Sequence, residues 1–303
     1  MTELTVFQRK LSALLPEITL CFQEPMSRHT SFRIGGEAEV MAFPKNREEL
    51  SQLLKTSALL DCKPAILGAG TNVLAPDEGL SGLVICLKDC LDGMERLENN
   101  RVRCMAGVTM ARAAGFAANL GLSGLEFAHG IPGTVGGGVY MNAGAYGGEI
   151  GKVCTAVEVM DRSGHICAMT REEMGFSYRH SVLEETEDIV LSAEFELCPD
   201  SPEAIWNRMK ELIAKRSASQ PLNLPSAGSA FKRPAGGYAA ALIEQAGLKG
   251  FRVGGAAISE KHAGFAVNLG GATAGDVREL LRKVSDKVYE ASGIRLEPEV
   301  RIW

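Results

Sequence analysis

The chain has 303 residues, 46% of them hydrophobic and 23% charged, the balance of an ordinary soluble globular protein long enough for two or three domains. Lysine and arginine number 32 against 37 acidic residues with no long run of either sign, so no nucleic-acid partner is expected, although a local basic site for a small anion stays open. No stretch reaches the roughly 18 apolar residues of a membrane span, and MTELTVFQRKLSALLPEITLCF has no signal-like apolar core, so a cytoplasmic location without membrane attachment is expected.

Along the chain, residues 46–60 read as a helix. Asn46 is its cap, Glu49 stands where a capping box needs it, and Leu50, Leu53 and Leu54 share a face. PAIL is a short buried strand running into GAGTN. LVICL and RVRCMAG continue the strand pattern, and TMARAAGFAANLGL is a small-residue helix suited to close packing on a sheet. In GIPGTVGGGVYMNAGAYGGEIG, glycine and proline are too frequent for a long helix or strand. Strands resume at KVCTAVEVM and DIVLSAEFEL. SPEAIWNRMKELIAKR is a helix with Ile205, Met209, Leu212, Ile213 and Arg216 on adjacent turns, and the polar SASQPLNLPSAGSA lines a site or joins domains. The tail reads as α+β: FRVGGAAI and GFAVNL as strands, then a helix over residues 273–292. Its buried stripe is Val277, Leu280, Leu281, Val284 and Val288, and Gly293 stops it. The natural cut falls at CPDSPE, between domains 25–198 and 199–303, with residues 1–24 taken as a separate N-terminal segment.

The eight cysteines (Cys21, Cys62, Cys86, Cys90, Cys104, Cys154, Cys167 and Cys198) include no C-x-x-C pair and several lie in apolar runs, which suits free, buried thiols in a reducing compartment. His29, His165, His180 and His262 show no metal-ligand spacing, and no metal is expected.

Two glycine loops carry the chemistry. GAGTN (Gly68, Ala69, Gly70, Thr71, Asn72) follows a strand, where backbone amides can converge on a phosphate. It misses the dinucleotide fingerprint by having Val73 at the third glycine position, and a tight turn is an equal reading. In IPGTVGGG, Gly133, Gly136, Gly137 and Gly138 strip side chains from a stretch that Ile131, Val135, Val139 and Met141 mark as buried. Packing alone seldom asks for so many missing Cβ atoms; close approach by a planar or pyrophosphate-bearing ligand does. Thr134 and Asn142 add polar groups beside it.

HTSFRIGGEAEV, LGAGTNVLAPDEGLSGLVI and GLEFAHGIPGTVGGGVYMNAGAYGGEI, followed in order by FSYRHS, AGSAFKRP and LEPEVRI, resemble the signatures of the UDP-N-acetylenolpyruvoylglucosamine reductases over residues 25–303. The resemblance implies an α+β protein: a two-part FAD-binding domain of the vanillyl-alcohol-oxidase type and a C-terminal α+β substrate domain. It also implies noncovalent FAD held by the two loops, NADPH as reductant, and a small-molecule substrate, the enolpyruvyl ether of UDP-N-acetylglucosamine. No histidine lies in GAGTN, and His129, ahead of the second loop, reads as a supporting or core residue rather than a flavin attachment point.

The reaction so implied adds hydride at C3 of the enolpyruvyl group and a proton at C2, with negative charge spreading onto the carboxylate between the two. Arg179 in FSYRHS is a permanent cation able to fork onto that carboxylate, though a surface arginine is the commoner fate. Ser229 in AGSAFKRP is the implied proton donor; a turn serine beside glycine is the plainer reading. Glu299 in LEPEVRIW is the implied carboxylate, but Glu297, on the same face of a terminal strand, is equivalent by spacing. Lys215, Arg216 and Lys232 are candidates for the diphosphate or the NADPH phosphates, or solvated charges. Arg179 and Ser229 are 50 positions apart with no tyrosine between them, as in the shorter subclass of the family; Arg233 and Gly264 stand where members often have Asn. The glycine loops alone also suit an oxidase or dehydrogenase of the same fold acting on an alcohol or hydroxy acid, or a non-catalytic scaffold.

Overall fold

The segments KVCTAVEVM and DIVLSAEFEL form the centre of a five-stranded antiparallel sheet in a computed structural model that describes residues 4–88, 90–235 and 237–303. The strand order is Ile166–Thr170, Cys154–Met160, Ile189–Glu196, Arg101–Met105, Met94–Arg96. Val157, Val159, Ala193 and Phe195 are fully buried. The helix Met110–Asn119 buries Met110, Ala113, Ala114, Ala117 and Ala118, a stripe of mostly alanines that lets its backbone come close to its neighbours. Thr109 caps it by accepting from the Arg112 amide at 3.3 Å.

A second sheet has the order Thr19–Pro25, Glu37–Phe43, Leu80–Cys86, Ala65–Leu67, the last two parallel with Leu67 opposite Cys86. The helix Arg47–Leu59 buries Leu50, Leu53 and Leu54 as its periodicity predicts. Asn46 caps it, its Oδ1 accepting from the Glu49 amide at 2.8 Å. The capping box closes differently from expectation, because the Glu49 carboxylate accepts from the Lys45 amide.

Two discontinuous units result. The first comprises Met1–Phe22, Val40–Ala69 and Gly82–Lys215; the second comprises Gln23–Glu39, Gly70–Ser81 and Arg216–Trp303. This corrects the three-segment division in two places. Residues 4–22 of the expected N-terminal segment, whose first three residues lie outside those described, are part of the first unit. There Val6–Leu14 is a helix with a full Thr5–Gln8 capping box, and Leu11 is buried in the core. The expected cut at 198/199 also falls too early, because Ile205 and Met209 of the helix Pro202–Ser219 are buried in that same core.

In the second unit an antiparallel sheet runs Ser226–Ser229, Phe265–Asn268, Ala256–Ile258, Arg252–Val253. The helix Ala274–Ser292 covers it with Val277, Leu280, Leu281, Val284 and Val288, and ends at Gly293 in the left-handed region (φ +73°). Its N-terminus is capped twice. Thr273 and Asp276 form a capping box, and the Asp77 carboxylate accepts from the Ala274 and Gly275 amides at 2.7 and 2.9 Å. Val73–Leu74 pairs in parallel with Arg301–Ile302.

All eight cysteines are free; Cys86, Cys104 and Cys154 are buried, whereas Cys167 and Cys198 are exposed, against the expectation of burial. Burial pushes the Cys104 and Cys154 thiols up to about 12, so neither forms a thiolate near neutrality. Among the described residues no helix is long and apolar enough to cross a membrane.

Candidate active site

The second glycine loop folds as a six-residue helix, Val135–Tyr140, which starts from Gly133 at φ +142°. Its first amides are already spent. Val135 donates to the Val108 carbonyl (2.8 Å), Gly136 to the Ala106 carbonyl (2.9 Å), and Gly137 to the Thr134 hydroxyl (3.4 Å). The loop therefore offers a bare surface rather than a row of free amides. Its glycines divide into two kinds. A Cβ on Gly136 would meet the Ala106 Cβ at 3.0 Å, and one on Gly138 the Met110 sulfur at 2.8 Å, so these two serve internal packing. Gly137 is exposed, and a Cβ there would meet only the Thr134 hydroxyl, at 3.7 Å. Gly68 differs: a Cβ on it would stand 2.9 Å from Thr134 Oγ1, so the threonine hydroxyl leaves no room for a side chain there. Gly137 thus presents bare, exposed backbone beside the buried Thr134 hydroxyl, the kind of surface that a flat ring system needs.

From Gly70 onward the loop belongs to the second unit. Gly70 (φ +62°) has no room for a side chain, since its Cβ would lie 2.0 Å from the His29 carbonyl, and its own carbonyl accepts from the Ser31 amide. Asn72 donates from Nδ2 to the Glu299 carbonyl at 3.1 Å, while its carbonyl accepts from the Arg301 amide. Asn72, expected to hold a cofactor, therefore also shapes the backbone at Glu299, and Gly70 packs against the His29–Ser31 segment. Ala69 precedes Gly70, and Thr71 lies between Gly70 and Asn72.

Arg179 is at the tip of a tight turn. Ser177 and His180 exchange both backbone hydrogen bonds (3.1 and 3.2 Å), leaving Tyr178 and Arg179 as the central pair. Arg179 takes φ +56°, a left-handed conformation that costs an arginine about 1–2 kcal/mol. Its guanidinium donates to the Gly144 carbonyl (3.4 Å) and its Cζ lies 5.6 Å from the Tyr178 ring centre. The turn is tied down from behind. Asn142, expected to hold cofactor, is buried, and its amide bridges the Ser177 carbonyl and the Gly151 amide, each at 2.8 Å. Both ends of that amide are thus engaged by protein.

In the second unit, Ser229 ends a strand with one residue too many. Ser226 is opposite Val267 and Ser229 is opposite Phe265, so the strand bulges, with Gly228 at φ +78° absorbing the bend. Such a bulge re-aims the side chain that follows it. The next residues run beside the C-terminal segment: Glu299 donates its amide to the Ala230 carbonyl (3.0 Å), Phe231 bridges Pro298, and the Lys232 amide donates to the Glu297 carbonyl (2.9 Å). Ser229 and Glu299 are thereby brought to one strip of backbone. The two glutamates separate clearly. Glu297 is exposed and ion-paired to Lys232 (Nζ–Oε1 2.5 Å), whereas Glu299 is buried. The expected terminal strand is shorter than predicted, beginning only at Arg301, so these two carboxylates do not share a strand face.

Lys215 is exposed at the end of the first unit and Arg216 is half-buried at the start of the second, both in the helix Pro202–Ser219. His129 is half-buried and packs edge-on against the half-buried Trp206, with ring centres 5.7 Å apart. One supporting residue had no sequence signal. His262, its pKa lowered by burial, accepts on Nδ1 from the Gly264 amide (3.1 Å), and the Gly264 carbonyl accepts from the Ala230 amide (2.8 Å) beside Ser229.

Residues 38–170 match the family described as "FAD binding domain", and residues 220–303 match "UDP-N-acetylenolpyruvoylglucosamine reductase, C-terminal domain". Together with the open glycine surface, this defines an FAD-dependent oxidoreductase of mixed α and β structure. A UDP-N-acetylenolpyruvoylglucosamine reductase of Caldanaerobacter subterraneus subsp. tengcongensis is 45% identical over 97% of this chain and 96% of its own length. One from Streptococcus pneumoniae is 41% identical over 97% of each chain. The crystal structure of the Thermus caldophilus enzyme of the same name superposes with a TM-score of 0.77 at 37% identity, covering 95% of this chain and 99% of that one. The chain belongs to the UDP-N-acetylenolpyruvoylglucosamine reductase family.

Proposed function

We propose that the protein uses NADPH to reduce UDP-N-acetylenolpyruvoylglucosamine to UDP-N-acetylmuramate, a step of peptidoglycan precursor synthesis. FAD, when bound, supplies the transfer of hydride from NADPH to C3 of the enolpyruvyl group. Gly68, Thr134 and Gly137 would hold its flat portion against bare backbone, and the GAGTN and Gly133 turns would flank it. The chain's own work is to manage charge and a proton. Hydride at C3 leaves an electron pair on C2 that delocalises into the substrate carboxylate, and Arg179 offsets that charge with a guanidinium already held at a turn tip. Ser229 gives its hydroxyl proton to C2, and Glu299 is the acid assigned to restoring it. Lys215, Arg216 and Lys232 are assigned to the phosphates of the nucleotide substrates. Lys232 would exchange its pairing with Glu297, an exposed contact worth little in water. Free thiols scattered through the chain suit the reducing cytoplasm to which we assign the protein.

The observation that carries this reading is the pairing of Glu299 with Ala230, which joins two motifs far apart in sequence at the residue next to Ser229. It is tested by anaerobic titration. NADPH should bleach the flavin absorbance, and the enolpyruvyl substrate should restore it with formation of one lactyl ether per flavin. Bleaching that only an alcohol substrate produces would instead indicate an oxidase of the same fold.

A further inference from the structure

We infer that Asn142 is a positioning residue for Arg179: its amide sets the turn that carries the guanidinium and is not spent on cofactor. The inference rests on the reading that Arg179 meets the substrate carboxylate.

Asn142 is 3% exposed and has φ +42°, a left-handed backbone that asparagine tolerates better than most residues. Its amide orientation is forced by its partners. The Ser177 carbonyl can only accept, so it faces Nδ2 (2.8 Å); the Gly151 N–H can only donate, so it faces Oδ1 (2.8 Å). The Ser177 carbonyl also accepts from the His180 amide (3.2 Å), the bond that closes the turn around Arg179. Asn142 thus grips the acceptor atom on which the turn itself is built. Gly151 is glycine for the same reason: a Cβ there would lie 2.8 Å from the Phe176 Cβ and 3.2 Å from Asn142 Oδ1. A second tie follows the turn, where fully buried Ser181 donates its hydroxyl to the Tyr140 carbonyl at 2.8 Å. Both ties anchor at the C-terminal end of the Val135–Tyr140 helix, the helix that exposes Gly137. A left-handed arginine persists only when its surroundings over-determine it, and these two hydrogen bonds are part of those surroundings.

The test uses flavin-loaded protein and four variants: Asn142→Asp, which keeps the acceptor for Gly151 but sets a carboxylate oxygen against the Ser177 carbonyl; Ser181→Ala, which cuts the second tie; Arg179→Gln; and the double variant Asn142→Asp/Arg179→Gln. Flavin content, reduction by NADPH and reoxidation by the enolpyruvyl substrate are measured separately. Reoxidation in Asn142→Asp should fall about 10- to 100-fold, the usual effect of misplacing a substrate-holding group by an ångström, while flavin content and NADPH reduction stay near parental. The double variant should be no slower than Arg179→Gln alone, because the amide acts only through the arginine. Multiplying losses in the double variant would overturn the inference, as would loss of flavin from Asn142→Asp. If Asn142→Asp does not fold, Ser181→Ala decides on the same measurements, again expected to add nothing to Arg179→Gln. Parental reoxidation by Arg179→Gln would refute the reading of Arg179 and the inference with it. Slow Arg179→Gln beside parental Asn142→Asp would refute the inference alone.

Discussion

Ser229 owes its setting to its neighbours: a glycine with positive φ before it, an extra residue in its strand, and a carbonyl after it that accepts from Glu299. A serine is a weak acid in water, so its proposed role depends on that setting, and the role is confined to the second half-reaction. In Ser229→Ala, flavin reduction by NADPH should proceed nearly as in the parent while reoxidation by the enolpyruvyl substrate slows by roughly 10²- to 10⁴-fold, the usual contribution of general acid catalysis. Ser229→Cys keeps a proton donor and should recover part of the loss. Equal loss in both half-reactions would make the residue structural, and loss in neither would move the proton to Glu299. The motif around Ser229 was readable in one dimension, whereas the choice between Glu297 and Glu299 was not. Alternation treats the two alike, and only the partner segment puts one beside Lys232 in solvent and buries the other.

At the scale of elements, the Val135–Tyr140 helix combines two uses of glycine that a string of glycines cannot distinguish. Gly137→Val should abolish flavin retention yet leave the melting temperature of the flavin-free protein near parental, since valine is no worse than glycine in a helix and, among the described residues, a Cβ on Gly137 would meet only the Thr134 hydroxyl, at 3.7 Å. Gly136→Val should lower the melting temperature of the flavin-free protein itself, because the new side chain must displace Ala106. A Gly137→Val protein with full flavin content would mean that this surface faces away from the cofactor. The Ala274–Ser292 helix supplies a pH test. Backbone hydrogen bonds from Thr273 and Gly255 hold the Asp276 carboxyl below its ordinary 3.8. A depressed folded pKa stabilises the protein above the unfolded value, and the contribution is lost as pH falls below it. Urea midpoints of the parent and Asp276→Ala should therefore differ near neutrality and converge as pH drops below 3.8. A constant gap would show that the carboxylate charge contributes nothing. Both the cap and the stripe of this helix were legible, because they involve residues within a few positions of one another.

For the whole molecule, the cofactor is expected to be bound without a covalent link. His129 packs on Trp206, and no histidine occurs in GAGTN. Acid precipitation should release about one FAD per chain into the supernatant and leave a colourless pellet; colour retained in the pellet would refute noncovalent attachment, and saturating FAD should raise the melting temperature of flavin-depleted protein, as any ligand of the native state does. By itself the sequence determined what depends on near neighbours: helix caps and stops, apolar stripes, the bare glycine runs, and an ordered set of motifs specific enough to name a family. The tertiary structure decided what depends on residues far apart. It assigned residues 23–39 and 70–81 to the second unit, gave the Asn142 amide to the Arg179 turn and the Asn72 amide to the Glu299 carbonyl, and separated packing glycines from open ones. The physical reason is that a buried polar group must find a partner. For these groups the partner comes from a distant part of the chain, present only once the chain has folded.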